Sequence, residues 1–158
     1  MIFAWGKSRF NSLTTWPDPA ARRTRETDCR SADGSMARIL FIDDDQLTLD
    51  LFGQILEGAG HKVIMARDGV AGIALYRKHP TDLIITDIKM PVKDGMHVIN
   101  ELMRDFPDAK IIAISGSDRE PRREFFFDVS RILGVKRTFH KPIDPEELLR
   151  AIRELAPD

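Results

Sequence analysis

The chain has 158 residues, of which 42% are hydrophobic and 31% charged, and its formal net charge is -1 at pH 7. This length predicts one globular domain, and the near-zero charge gives no general attraction to nucleic acid or to an anionic membrane. The single cysteine, Cys29, excludes an internal disulfide and fits a reducing compartment. No apolar run approaches the roughly 20 residues of a membrane span, and the N-terminus lacks the apolar region of a signal peptide, so we expect a cytoplasmic protein.

Residues 1–35 differ in pattern from the rest of the chain. They have no sustained period of two or 3.6, and Pro17, Pro19 and Gly34 interrupt any regular element. Met36 stands directly before the first strand pattern. We therefore expect residues 1–35 to be either a disordered extension or the result of a mis-assigned start codon, with the folded domain spanning residues 36–158.

From Met36 onward, apolar strand patterns alternate with helical patterns five times. The predicted strands are residues 37–42, 61–66, 82–87, 109–115 and 136–141. The predicted helices are residues 45–60, 69–80, 97–107, 123–135 and 144–156. Strands that are apolar on both faces and separated by helices form a parallel sheet covered on both sides. The sequence thus predicts an α/β fold with a doubly wound, five-stranded parallel sheet.

Polar side chains cluster where the predicted strands end. In open parallel sheets, ligands bind beyond the carboxyl ends of the strands, so these residues are candidates for a site. They are Asp43, Asp44 and Asp45 after the first strand, Asp87 after the third, Ser115 at the end of the fourth and Lys141 after the fifth.

This set of side chains suits phosphoryl chemistry. Two carboxylates about 4 Å apart repel by roughly 4 kcal/mol at an effective dielectric constant of about 20, and a hard cation such as Mg²⁺ relieves that repulsion. A lysine and a serine hydroxyl supply a positive charge and a donor for phosphoryl oxygens. Asp87 can then act as an oxygen nucleophile that forms an acyl phosphate.

The sequence over residues 36–156 resembles the response-regulator receiver domains of two-component signalling. The resemblance rests on four motifs in order: "ILFIDDD" (39–45), "LIITDIKMPVKDG" (83–95), "IIAISG" (111–116) and "FHKPI" (139–143). It implies a flavodoxin-like (βα)5 fold. It also implies a phosphorelay protein that takes a phosphoryl group from a histidine kinase or a histidine phosphotransfer protein.

The resemblance assigns a role to each motif residue. It implies that Asp87 is the phosphoacceptor and that Ser115 and Lys141 contact the phosphoryl group. The implied Mg²⁺ ligands are Asp43, Asp44, Asp87 and the backbone carbonyl of Lys89. It also implies a cis peptide bond between Lys141 and Pro142. Asp45 has an alternative interpretation, which is that it caps the first helix.

The resemblance also implies how the domain passes its signal on. No output domain follows the last predicted helix, which indicates a stand-alone receiver rather than a turnover enzyme, with an unknown protein target. Phosphorylation is expected to act through the fourth helix, fifth strand and fifth helix, and to favour a dimer there. Thr138 stands where receivers often carry a switch aromatic, and Phe139 is expected to face the opposite side of the sheet.

Two other functions fit parts of the sequence. The segment "DDDQL" could begin a haloacid-type phosphatase with Asp43 as nucleophile and Asp45 as acid, although Leu47 stands where that family has Thr or Val. A pseudo-receiver that binds a partner without phosphorylation is the second alternative. Loss of the acceptor or of the lysine is the usual mark of such proteins, and this chain has both Asp87 and Lys141.

Overall fold

A computed structural model of the chain describes residues 36–90, 94–116, 128, 131 and 133–156. The strands are β1 (Arg38–Ile42), β2 (Lys62–Ala66), β3 (Leu83–Asp87), β4 (Ile111–Ser115) and β5 (Arg137–His140). The helices are α1 (Gln46–Gly58), α2 (Gly69–Lys78), α3 (Gly95–Asp105) and a C-terminal helix (Pro145–Leu155). The expected extension over residues 1–35, and most of the predicted helix over 123–135, lie outside the described residues.

All five strands belong to one parallel sheet with the order β2-β1-β3-β4-β5. The prediction of a doubly wound, flavodoxin-like sheet is therefore confirmed. The strand order reverses between β1 and β3, which lie side by side with Ile42 opposite Thr86. This reversal places the carboxyl ends of β1 and β3 next to each other, at the position where such sheets bind ligands.

The sheet separates two apolar cores, because alternate strand residues point to opposite faces. In β1, Ile39 and Phe41 pack towards α1 and the C-terminal helix. Leu40 and Ile42 pack towards α2 and α3 on the other face. All four side chains are completely buried. Apolar packing on both sides fixes the strand, and with it the acid that follows.

Every helix that the structure describes begins with an aspartate cap. The N-cap residues are Asp45, Asp68, Asp94 and Asp144, and the side chain of each accepts a backbone N–H of the first turn. The alternative role predicted for Asp45, capping of α1, is thus confirmed. The longest of these helices has 13 residues, and none of them is long and apolar enough to cross a membrane.

The two residues near the end of β5 face opposite sides of the sheet, as expected. Phe139 is half-buried and packs against the core formed with α1 and the C-terminal helix. Thr138 pairs with Ala113, whose side chain belongs to the core on the opposite face. Phe139 therefore does not stand in for an aromatic at position 138.

Candidate functional site

Two acids lie where the strand order reverses, at the ends of the adjacent strands β1 and β3, and both are buried. Asp43 directly follows β1 and has no exposed surface, and Asp87, the last residue of β3, is 4% exposed. Asp44, the residue after Asp43, is exposed. The strands place two carboxylates inside the protein at the edge of the sheet, with a third at the surface beside them.

These three carboxylates come together in space. Single carboxylate oxygens of Asp43, Asp44 and Asp87 all lie within 4.8 Å of one another. We name this group the acid cluster. Its oxygens suit a hard divalent cation such as Mg²⁺, which binds one or two carboxylates and completes its shell with other oxygens. The cluster therefore fits the expected metal, because a shared cation would relieve its mutual repulsion.

Lys141 directly follows β5 and reaches the acid cluster along the same edge of the sheet. Its Nζ lies 2.9 Å from Oδ2 of Asp43 and 3.5 Å from Oδ2 of Asp87. The peptide bond to Pro142 is cis, as the resemblance implied. Ser115 is 3% exposed and joins the site through its carbonyl, which accepts the backbone N–H of Lys141 at 2.9 Å.

Backbone donors orient both buried carboxylates. The N–H of Asp45 donates to Oδ1 of Asp43 at 2.9 Å. The N–H of Lys89 donates to Oδ1 of Asp87 at the longer distance of 3.4 Å. In each case Oδ2 of the same acid is the oxygen nearest to Lys141. The Lys89 main chain thus lies beside Asp87, while its carbonyl as a metal ligand stays a prediction.

Burial dominates the electrostatics of Asp87. Desolvation raises the pKa of this carboxyl to about 6, with Asp43 and Asp44 adding to the rise, while Lys141 and the Lys89 N–H work against it. Partial burial disfavours the charged form of Lys141, but its hydrogen bond to Asp43 and the charges of Asp87 and Asp43 outweigh this and raise its pKa. The lysine stays a cation, and Asp87 is held in a costly charged state that a further cation would stabilise.

The sequence predicted that these side chains would meet, but it did not predict their pairing. The expected contact of Lys141 with a phosphoryl group stays a prediction, and of the two buried acids Asp43 lies closer to the amine than Asp87 does. The two residues are 98 positions apart in the sequence. Only the strand order and register settle which acid lies nearest the amine, and the sequence pattern carries no signal for that distance.

Comparison with known proteins agrees with the fold. Residues 39–153 match the family model described as "Response regulator receiver domain". This match covers most of the chain, and the chain therefore belongs to the response regulator receiver domain family. The match does not favour a haloacid-type phosphatase or a pseudo-receiver.

Several curated proteins are similar to this chain. Protein PilH of Pseudomonas aeruginosa is 32% identical over 119 residues, which are 74% of this chain and 95% of that protein. The chemotaxis protein CheY of Treponema pallidum is 31% identical over 122 residues, covering 75% of this chain and 82% of that protein. The DNA-binding dual master transcriptional regulator RpaA of Synechocystis is 36% identical over 122 residues, but the match spans only 49% of that protein.

Solved structures give the same fold. A CheY-like receiver domain protein from Methanospirillum hungatei has a TM-score of 0.69 and 31% identity, over 76% of this chain and 93% of that one. CheY from Borrelia burgdorferi, solved as a CheX-CheY-BeF3-Mg²⁺ complex, has a TM-score of 0.68 and 28% identity over 74% of this chain and 87% of that one. That complex contains Mg²⁺ together with a BeF3 group.

Proposed function

We propose that residues 36–158 form a receiver domain that accepts a phosphoryl group on Asp87 from the phosphohistidine of a histidine kinase or a histidine phosphotransfer protein. The observation that carries the proposal is the setting of Asp87. It is a buried carboxylate at a strand end, within the acid cluster and 3.5 Å from a lysine amine. Few structural roles require a charge at such a place.

The proposed reaction transfers the phosphoryl group between two nucleophiles. A carboxylate oxygen of Asp87 attacks phosphorus, a new O–P bond forms, and the N–P bond of the donor histidine breaks with its electron pair returning to the imidazole. β3 holds the attacking carboxylate fixed, which lowers the entropic cost of alignment. Lys141 supplies a positive charge to the phosphoryl oxygens, and the Ser115 hydroxyl supplies a hydrogen-bond donor.

The acid cluster is the proposed Mg²⁺ site. Asp43, Asp44, Asp87 and the Lys89 carbonyl would hold the ion, and the proximity of the three carboxylates supports this. Bound Mg²⁺ would supply positive charge next to the transferring group. Asp43 also hydrogen-bonds Lys141, and this contact orients the amine towards the same place.

As a signalling module, the domain would hydrolyse its own acyl phosphate but turn over no separate substrate. It would act in the cytoplasm on a downstream protein whose identity is unknown. The proposed output surface comprises the predicted helix over residues 123–135, β5 and the C-terminal helix, and a phosphorylation-linked dimer would use the same surface. Ser115 and Lys141 lie at the ends of β4 and β5, so a phosphoryl group that draws them inwards acts on this side first.

A small phosphodonor tests the acceptor directly. Incubation with acetyl phosphate and Mg²⁺ should add one phosphoryl group by intact mass, and peptide mapping should place it on Asp87. Asp87→Asn should take none, because an amide is not a competent nucleophile. Asp108→Asn, the same change at an exposed acid, is the control and should be modified like the wild type. Equal modification of Asp87→Asn would overturn the assignment.

A further inference from the structure

The start of α3 lies directly against the main chain of Asp87. Gly95, the first residue of α3, is buried, and its N–H donates to the carbonyl of Ile88 at 2.8 Å. The N–H of Ile88 in turn donates to the carbonyl of Ile114 at 2.8 Å. Asp94 caps the helix by accepting the N–H of His97 at 2.9 Å. After β3 the chain therefore turns back, and the first residue of α3 contacts the backbone at the end of β3.

This contact leaves no room for a side chain at position 95. A Cβ added to Gly95 would fall on the carbonyl oxygen of Asp87, 2.6 Å from Cα of Ile88 and 2.9 Å from the carbonyl carbon of Asp87. These are backbone atoms held in the sheet, so no side-chain rotation can relieve the overlap. The glycine is therefore required for close approach of the helix to the strand end.

Gly53 provides a useful contrast within the same molecule. A Cβ added there, in the middle of α1, would meet only the terminal methyl of Met65 and, at 3.5 Å, its sulfur. The Met65 side chain is 37% exposed and flexible, so it can turn aside. At Gly53 the added carbon can be accommodated by movement of a side chain. At Gly95 it can be accommodated only by movement of backbone.

We infer that Gly95 is a positioning residue for Asp87, an inference that rests on the proposed function of this acid. To relieve the overlap, the added carbon and the Asp87 main chain must move apart by roughly 1 Å. The share of this separation that the strand end takes up would carry the Asp87 carboxylate away from the Lys89 N–H and from Lys141, which now lie 3.4 Å and 3.5 Å from its oxygens. Functional sites tolerate only about 0.5 Å of such displacement.

Two effects should follow from this displacement. Mg²⁺ demands near-ideal octahedral geometry, so a misplaced ligand weakens its binding. Misplacement by about 1 Å can also cost on the order of a hundredfold in rate. For Gly95→Ala we therefore expect at least about a tenfold loss of Mg²⁺ affinity and, at saturating Mg²⁺, a similar loss in the rate of phosphorylation.

The experiment compares Gly95→Ala with Gly53→Ala, since both replace a helical glycine with alanine. Mg²⁺ affinity is measured by isothermal titration calorimetry, and phosphorylation by acetyl phosphate is followed by intact mass at saturating Mg²⁺. Both readouts should change in Gly95→Ala and stay within about twofold of the wild type in Gly53→Ala. If Gly95→Ala is unfolded in plain buffer, all three proteins are compared in trimethylamine N-oxide, which favours the folded state.

Three outcomes would overturn the inference. They are wild-type Mg²⁺ affinity and rate in Gly95→Ala, equal losses in the two variants, and failure of Gly95→Ala alone to fold even with the osmolyte. The last result would make Gly95 a determinant of stability and not of site geometry. If the wild type takes no phosphoryl group on Asp87, the proposed function fails instead, and the Mg²⁺ comparison still decides whether Gly95 positions this carboxylate.

Discussion

The two ends of the sheet both bring carboxylates and cations together, but in different proportions. At the amino end, Asp82 precedes β3 and faces Arg38 at the start of β1. Its two oxygens accept hydrogen bonds from the Arg38 side chain at 2.9 and 3.1 Å and from the Arg38 backbone N–H at 2.9 Å. One acid meets one guanidinium in a forked geometry that satisfies both charges.

At the carboxyl end the charges are unequal. The three carboxylates of the acid cluster face the amine of Lys141, which contacts Asp43 and Asp87. The pKa of Asp87 is raised to about 6 as a result of burial and of its acidic neighbours. The comparison shows that a carboxylate largely removed from solvent at a strand end does not by itself indicate a functional site. An uncompensated excess of negative charge is the more specific sign, because it leaves room for a further cation.

Metal affinity should separate the two ends most strongly. Asp44→Ala removes one expected ligand and should weaken Mg²⁺ binding by roughly 30-fold, or about 2 kcal/mol. It should not lower the stability of the metal-free protein, because one repelling charge is lost. Asp82→Asn, at the opposite end of the sheet, should leave Mg²⁺ affinity unchanged. Calorimetric titration measures both, and unchanged affinity in Asp44→Ala would move the metal site elsewhere.

The free energy of unfolding, in contrast to Mg²⁺ affinity, should depend on the amino end of the sheet. Asp82→Asn removes the negative charge that the Arg38 guanidinium contacts, in a pair whose side chains are only 17% and 28% exposed. We expect a loss of about 2 kcal/mol in the free energy of unfolding, less than the 3–5 kcal/mol typical of fully buried pairs. Urea denaturation with Mg²⁺ removed by chelation measures this. A change below about 0.5 kcal/mol would mean that the pair behaves as an exposed one.

The last expected effect concerns Asp87 and depends on pH. Its folded pKa of about 6 lies above the ordinary value of 3.8, so the folded state binds the proton more tightly. The favourable contribution of the protonated carboxyl is complete below about pH 4 and is lost as the pH rises through about 6.

Asp87→Asn should therefore stabilise the metal-free protein by up to about 3 kcal/mol at pH 7.5, since each unit of pKa shift corresponds to about 1.4 kcal/mol, and by little at pH 4. Urea titrations at the two pH values, with Asp108→Asn as the control, measure the difference. A stabilisation that is the same at both pH values would show that the amide acts through packing or hydrogen bonding and not through the loss of a buried charge.

The sequence predicted more about where side chains lie along strands than about which atoms meet. The apolar runs before Asp43 and Asp87 predicted both strands, and the order of elements predicted the parallel sheet and the strand-end site. The Arg38–Asp82 pair was not predicted, because it depends on the register between β1 and β3, which are separated in the chain by two helices and a strand. Local patterns carry no information on register between distant strands.

The same limit applies to Gly95. The sequence marks a glycine after Asp94, where a helix begins, and such a glycine is easily explained as part of a turn. Its contact with the Asp87 main chain depends on the path of the chain between β3 and α3. Gly95 has no unusual backbone angle, and its role arises from a close contact between a helix and a strand. Such a role can be recognised only from the three-dimensional structure.

The 98 positions between Asp43 and Lys141 also set an order of events during synthesis. At 5–20 residues per second, a ribosome needs roughly 5–20 s to pass from one residue to the other. In the later part of that interval, once Asp87 has been added, the growing chain contains all three acids of the cluster but not the amine that contacts two of them in the finished protein. Cellular cations such as Mg²⁺ can therefore contact these carboxylates before the Lys141 amine has been synthesised.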